Sequence, residues 1–471
     1  MQRDLLKARL SKLPHLPPLA DPDRQLDSPA ADEDDKQEAL EADEEEDSFG
    51  ALPALGTKTP RKRQMGKDYS PLSAAGYFAQ ALEVGVPIRS VYRRAEAEAG
   101  DEAVDPSGSS GTARVRVYYS PPPPPSSSSS LPADDDDDEE AGGNGTVFVC
   151  VHGAGYSGLS WACMAKELVE QSQPEEGGEE GGKRIGVLAY DARGHGKTTL
   201  PPPSTADGEG DTVDLSLQAQ SDDLVALLKA VYPEREKAPA VVLVGHSMGG
   251  AVVADACNRI QREVCAVTGV VVVDVVEGTA LEALSGMSAL IAAHPKTFSS
   301  QEDAIAWHVQ SRTINNLASA RISVPPLIKP IPRADSVGGG EGGKGGEEEY
   351  GWRVDLAKTQ PYWRGWFTSL STKFLSCRTA KLLLLAGTDR LDKELLIGQM
   401  QGKYQLEVDP HVGHCVHEDA PARTASTLLS FLERNDRVDV LKGVKKLGGP
   451  SGAGVGGVGL AGPAVMPPPI L

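Results

Sequence analysis

The stretch Val241-Val242-Leu243-Val244-Gly245-His246-Ser247-Met248-Gly249-Gly250-Ala251 decides how the chain is read. Its opening apolar run, mostly β-branched, predicts a buried parallel strand. The following Ala251-Val252-Val253-Ala254 predicts a helix. Between them stands Gly-x-Ser-x-Gly, the signature of a sharp strand-to-helix turn that exposes a nucleophilic hydroxyl. The chemistry needs that shape. A serine hydroxyl attacks well only where a base can reach it, and the flanking glycines leave no side chain where strand and helix crowd. The N–H of Met248, at the helix start, then points to where a reacting ester oxygen gains charge. Ordinary helix entries also carry Gly-x-Ser-x-Gly. The strand before it and the helix after it select the nucleophile reading of Ser247.

Working outward, strands are predicted over 146–151, 184–190, 269–274, 381–386 and 404–408, and helices over 218–231 and 420–433. Strands separated by helix-length segments imply a mostly parallel sheet with right-handed crossovers. Residues 113–119 alternate like an edge strand. The alternation stops over about 278–375, where predicted helices 281–293 and 302–310 and the aromatics Trp352, Tyr362, Trp363, Trp366 and Phe367 suggest a helical cap over the site. The set fits an α/β-hydrolase fold with flanking helices, opened by a cap, over residues 66–437. Residues 1–65, with an acidic run over 32–47, read as disordered. Residues 121–145 read as a low-complexity insertion where a hairpin loop would lie, 338–349 as a flexible loop and 438–471 as a flexible tail.

The totals exclude several classes. The 471 residues carry a net charge of −20, which argues against nucleic-acid binding. The six cysteines form no CxxC pair and no zinc spacing, which suits free thiols in a reducing compartment. Charged residues precede any apolar run at the start, and the longest apolar stretch holds Asp274, so neither a leader nor a membrane span is expected. A protein of the cytoplasm or nucleus follows, with no metal and no cofactor.

A serine nucleophile needs a base and a group to orient it. In this fold the base follows the last strand, where His414 stands after Gly413; His411 and His417 are its neighbours to exclude. Two residues compete as the acid. Asp389 follows strand 381–386 and Asp274 closes strand 269–274, and both fit the order Ser, Asp, His. Spacing favours Asp389 and leaves Asp274 open. A second oxyanion donor is expected in His152-Gly153-Ala154-Gly155, at the backbone N–H of Ala154 or a neighbour. The run from Asp191 to Gly196 reads as a structural turn held by Asp191 and Arg193.

These residues, together with Asp274-Val275-Val276-Glu277-Gly278-Thr279-Ala280, Tyr362-Trp363-Arg364-Gly365-Trp366-Phe367, Ile397-Gly398-Gln399-Met400-Gln401-Gly402-Lys403 and Gly413-His414-Cys415-Val416-His417-Glu418-Asp419-Ala420-Pro421, resemble the protein phosphatase methylesterases. The turn is generic to a superfamily; the Asp-Val-Val-Glu-Gly-Thr-Ala and Gln-Met-Gln-Gly-Lys blocks are far more specific. The resemblance spans roughly 66–120 and 146–435. It implies a serine esterase that removes the methyl ester from the C-terminal leucine of the type 2A protein phosphatase catalytic subunit, its partner and substrate. It also implies Asp274 as the acid, reversing the preference drawn from spacing. The chain departs from the pattern at Ala154, which stands where a glycine is usual, and in its low-complexity segments. Two other readings are a small-molecule carboxylesterase on the same fold and a non-catalytic phosphatase-binding regulator.

Overall fold

A computed structural model describes residues 66–89, 91–94, 111–124, 144–173, 183–202, 211–332, 349–387 and 391–435. The expected N-terminal region 1–65, most of the 121–145 insertion, most of loop 338–349, Asp389 and the 438–471 tail lie outside the described residues.

Eight strands form the main sheet: β1 (Gln80–Ile88), β2 (Gly111–Ser120), β3 (Thr146–Val151), β4 (Ile185–Tyr190), β5 (Ala240–His246), β6 (Val267–Val273), β7 (Ala380–Ala386) and β8 (Gln405–Asp409). Their order across the sheet is β1-β2-β4-β3-β5-β6-β7-β8. Only β2 runs against its neighbours; β4 through β8 pair in parallel. The edge is therefore β1, and β2 is internal, contrary to the edge position expected of residues 113–119. The segment after β2 does not close a hairpin either, because β4 lies between β2 and β3.

Alternation along β5 explains why it sits in the middle. Val241 and Leu243 pack with Leu224 and Leu228 of the helix Leu217–Val231 and with Val252 and Val253 of the helix Met248–Glu263. Val242 and Val244 face the other way, with Leu168 of the helix Ala162–Gln171 and Leu428 and Phe431 of the helix Pro421–Asn435. Both faces of the strand are thus apolar, as a parallel strand between two helical layers requires. Each such Val or Leu contributes about 1.5–3 kcal/mol by leaving water.

Between β6 and β7 the chain builds the cap. It contains the helices Glu277–Ala292, Gln301–Gln310, Leu317–Ser323, Trp363–Phe367 and Leu370–Ser376. It is not wholly helical: Ile328–Ile331, Glu349–Trp352 and Thr297–Phe298 form a small antiparallel sheet. The cap has its own apolar centre around Phe298, Ile305, Ile314 and Ile328.

Candidate active site

The strand ends of β5 and β6 are pinned side by side. Ser247 follows β5 directly with φ 52° and ψ −119°, and its N–H donates to the carbonyl of Val273 at 3.0 Å. Asp274 follows β6 with φ 50°, and its N–H donates to the carbonyl of Leu384 on β7 at 2.8 Å. The turn at Ser247 is possible only because nothing projects from its neighbours. A Cβ on Gly245 would lie 2.1 Å from the carbonyl oxygen of Gly249, and one on Gly249 would lie 2.2 Å from that of Val151.

His414 arrives from the loop after β8. Its Nδ1 lies 2.6 Å from Asp274 Oδ2, and the second carboxyl oxygen, Oδ1, accepts the N–H of Ala386 at 2.8 Å. The Asp274 side chain is 2% exposed and that of His414 21%, so the carboxyl group is sealed behind the imidazole while the imidazole reaches the cavity. Of the neighbouring histidines, His411 is exposed. His417 is fully buried and stacks on Trp161 at 3.9 Å between ring centroids. Burial pushes its imidazole down to about 3, so it stays neutral.

Ser247, Met248, Ala154 and His414 line one cavity of about 140 Å³ under the cap. Met248 opens the helix Met248–Glu263, where a first-turn N–H has no intrahelical acceptor. Ala154 is not among the described non-glycine residues with positive φ, so the alanine at this glycine-rich turn costs no backbone strain. The neighbouring N–H of Gly155 is occupied: it donates to His195 Nε2 at 3.0 Å.

That bond gives the turn after β4 its role. His195 Nδ1 lies 2.9 Å from the Arg193 carbonyl, so Nδ1 carries the proton and Nε2 accepts from Gly155. Burial pushes the ring down to about 3. Arg193 itself is held by a fork of two 2.6 Å bonds to Asp223, and Asp191 accepts the N–H groups of Gly158 and Lys197, each at 2.8 Å. His195 and Asp419 were not singled out in the sequence. Asp419 accepts the N–H of Gly413 and that of Asn315, each at 2.7 Å, tying the His414 loop to the cap.

Among the described residues the cavity wall carries no Asp, Glu, Lys or Arg. Leu290 and Ile291 come from the helix Glu277–Ala292, and Trp352, Trp363, Trp366 and Phe367 from the second half of the cap. The indole N–H groups are used within the protein: Trp352 donates to the Pro295 carbonyl, Trp363 to Thr359 Oγ1 and Trp366 to the Leu215 carbonyl, each at 2.7 Å. The wall is therefore built to take an uncharged, largely apolar group.

Fold and site define an alpha/beta hydrolase. The chain matches the alpha/beta hydrolase family over residues 148–427, and it is a carboxylic ester hydrolase. Among curated proteins it is 40% identical over 458 residues to "Protein phosphatase methylesterase 1" of Cryptococcus neoformans var. neoformans serotype D (strain B-3501A), covering 96% of each chain. It is 44% identical over 314 residues to the protein of the same name from Neurospora crassa, covering 63% of this chain and 66% of that one. The chain belongs to the protein phosphatase methylesterase family. Of solved structures, a peroxisomal alpha-beta-hydrolase of Saccharomyces cerevisiae aligns with a TM-score of 0.49 at 14% identity, covering 80% of this chain and 94% of that one.

Proposed function

We propose that this chain demethylates the C-terminal leucine methyl ester of the type 2A protein phosphatase catalytic subunit, its substrate and partner, through an acyl-enzyme on Ser247. The observation that carries the chemistry is the His414–Asp274 contact at 2.6 Å, with His414 and Ser247 lining one cavity. The substrate is carried by family membership.

Ser247 Oγ attacks the ester carbonyl as His414 takes the hydroxyl proton. Asp274 orients the imidazole and stabilises the charge it gains. The Met248 N–H and the Ala154 N–H hold the oxyanion. The tetrahedral adduct collapses, the bond to methoxide breaks, and His414 returns the proton so that methanol leaves. Water then attacks the acyl-enzyme with His414 again as base, and the leucine carboxylate is released. A neutral ester suits the cavity wall; the carboxylate formed from it does not, and this favours release. The reaction needs no cofactor or metal. Among the described residues no helix is long and apolar enough to cross a membrane. We place the enzyme in the cytoplasm or nucleus, a reading supported by six unpaired thiols.

The test is release of the methyl group from a methylated type 2A catalytic subunit by wild type, Ser247→Ala and Asp274→Asn, with nitrophenyl esters in parallel. Wild type releases the methyl group and both variants fail. If wild type cleaves nitrophenyl esters and leaves the phosphatase methylated, the enzyme is a small-ester carboxylesterase.

A further inference from the structure

His246 lies inside the Gly-x-Ser-x-Gly turn yet takes no part in the proton transfers above. It is fully buried. Its Nε2 lies 2.9 Å from the backbone carbonyl oxygen of His414. A carbonyl only accepts, so Nε2 carries the proton and donates. Burial, with the rings of His414 and His417 alongside, holds the His246 imidazole well below its ordinary range, so the ring is neutral. The other nitrogen, Nδ1, is then a bare lone pair with no hydrogen-bond partner among the described residues. It faces Gly153 of the oxyanion turn: a Cβ added there would come within 2.9 Å of Nδ1 and 3.3 Å of Ser247 Cβ. The ring centroid is 4.6 Å from that of His414, 4.8 Å from that of His417 and 5.7 Å from that of Tyr156.

One imidazole thus meets all three working parts. It is the residue before the candidate nucleophile, it bonds the backbone of the candidate base, and it packs on the turn carrying the candidate oxyanion donor. We propose that His246 is a positioning residue: by donating Nε2–H to the His414 carbonyl it fixes the base relative to Ser247 and to the oxyanion turn. The proposal rests on the roles given to Ser247 and His414 above. Its physical need is plain. Asp274 holds the His414 ring at one atom, Nδ1, and the ring's place relative to Ser247 depends equally on where the His414 backbone stands. A bond to the backbone of His414 supplies a second fixed point, and it comes from the chain that carries the nucleophile. Displacements of about 1 Å in such a pair cost on the order of 100-fold in rate.

The alternative is that His246 merely fills space. Three substitutions separate the two. His246→Leu keeps the volume and loses the donor. His246→Asn places its amide near the position of Nδ1, on the Gly153 side. His246→Gln carries an N–H to about the position of Nε2. Each is assayed by the rate of fluorophosphonate labelling of Ser247, by kcat and KM on a nitrophenyl ester, and by thermal unfolding. Leu and Asn are expected to lower kcat and labelling by roughly 10- to 100-fold with KM within about twofold, while Gln stays within about fivefold of wild type. A folded Leu variant with wild-type kcat, or Gln and Asn variants equally active, overturns the proposal. Should the Leu variant fail to fold, the Gln and Asn comparison decides alone. If wild type is neither labelled nor active on any ester, the reading of Ser247 falls first and this one with it.

Discussion

Asp274 gives one carboxyl oxygen to His414 Nδ1 at 2.6 Å and the other to the N–H of Ala386 at 2.8 Å. Both oxygens are thus acceptors in fixed positions. In Asp274→Asn the amide must choose. If its oxygen keeps the Ala386 N–H, its NH₂ faces His414 Nδ1 and forces that nitrogen to accept, so the proton moves to Nε2, the nitrogen proposed to act as base. The expected result is a fall in kcat of about 10⁴ on any ester, with little change in unfolding temperature. Activity near wild type would remove Asp274 from the mechanism.

The turn at Ser247 leaves no room for a methyl group on its neighbours. Gly249→Ala would set a Cβ 2.2 Å from the Val151 carbonyl oxygen, backbone against backbone, where no side chain can yield. A loss of at least about 3 kcal/mol in urea unfolding, or no soluble protein, is expected. Gly286, in the helix Glu277–Ala292, is the contrast: a Cβ there meets nothing within 4 Å. Gly286→Ala should stabilise by about 0.5–1 kcal/mol.

Glu418 is fully buried, and burial raises its carboxyl from the ordinary 4.5 to about 8. In the unfolded chain it ionises near the ordinary value, so between these limits unfolding releases a proton. Its contribution to stability is complete below pH 4.5 and is lost as pH rises through about 8. The buried neutral histidines act oppositely. His152, lowered to about 4, and His195 and His417, each lowered to about 3, stabilise fully above pH 6.5, and the contribution is lost as pH falls toward those values. Thermal melts from pH 5 to 9 should show a decline between about pH 6.5 and 8 in wild type that flattens in Glu418→Gln. Parallel declines would place the titration elsewhere.

The helix Glu277–Ala292 has no fully buried residue, yet Leu290 and Ile291 line the cavity. A charge can therefore be placed there without unfolding a core. Leu290→Asp should leave the unfolding temperature nearly unchanged and raise KM for a neutral ester about tenfold or more, because the substrate must then displace a hydrated carboxylate. An unchanged KM would show that substrate does not pass this wall.

How far the sequence reached follows from distance along the chain. Strands such as β5 and β6 were legible because their apolar runs are continuous and bounded by turns. β1 was not: Gln80–Ile88 contains Gly85 and Pro87 and is exposed over much of its length, so no apolar pattern marks it. That Ser247 and His414 would meet at one cavity was legible from a local motif and from chain order. Spacing does not choose between the two candidate acids, because two strand ends carry an Asp. Which strand lies beside β5 is a property of the sheet, and it is β6, through Ser247 N–H and the Val273 carbonyl. The bonds joining His195 with Gly155, Asp419 with Asn315 and His246 with His414 were invisible for the same reason: they span 40, 104 and 168 residues.

Ser247 holds φ 52° and ψ −119°, a backbone state that a residue with a Cβ occupies at an energetic cost and a glycine occupies freely. Stability and turnover therefore pull in opposite directions at this one position. Directed evolution of this enzyme for heat resistance alone would reward Ser247→Gly and discard the proposed nucleophile, so any such selection has to score ester cleavage in every round.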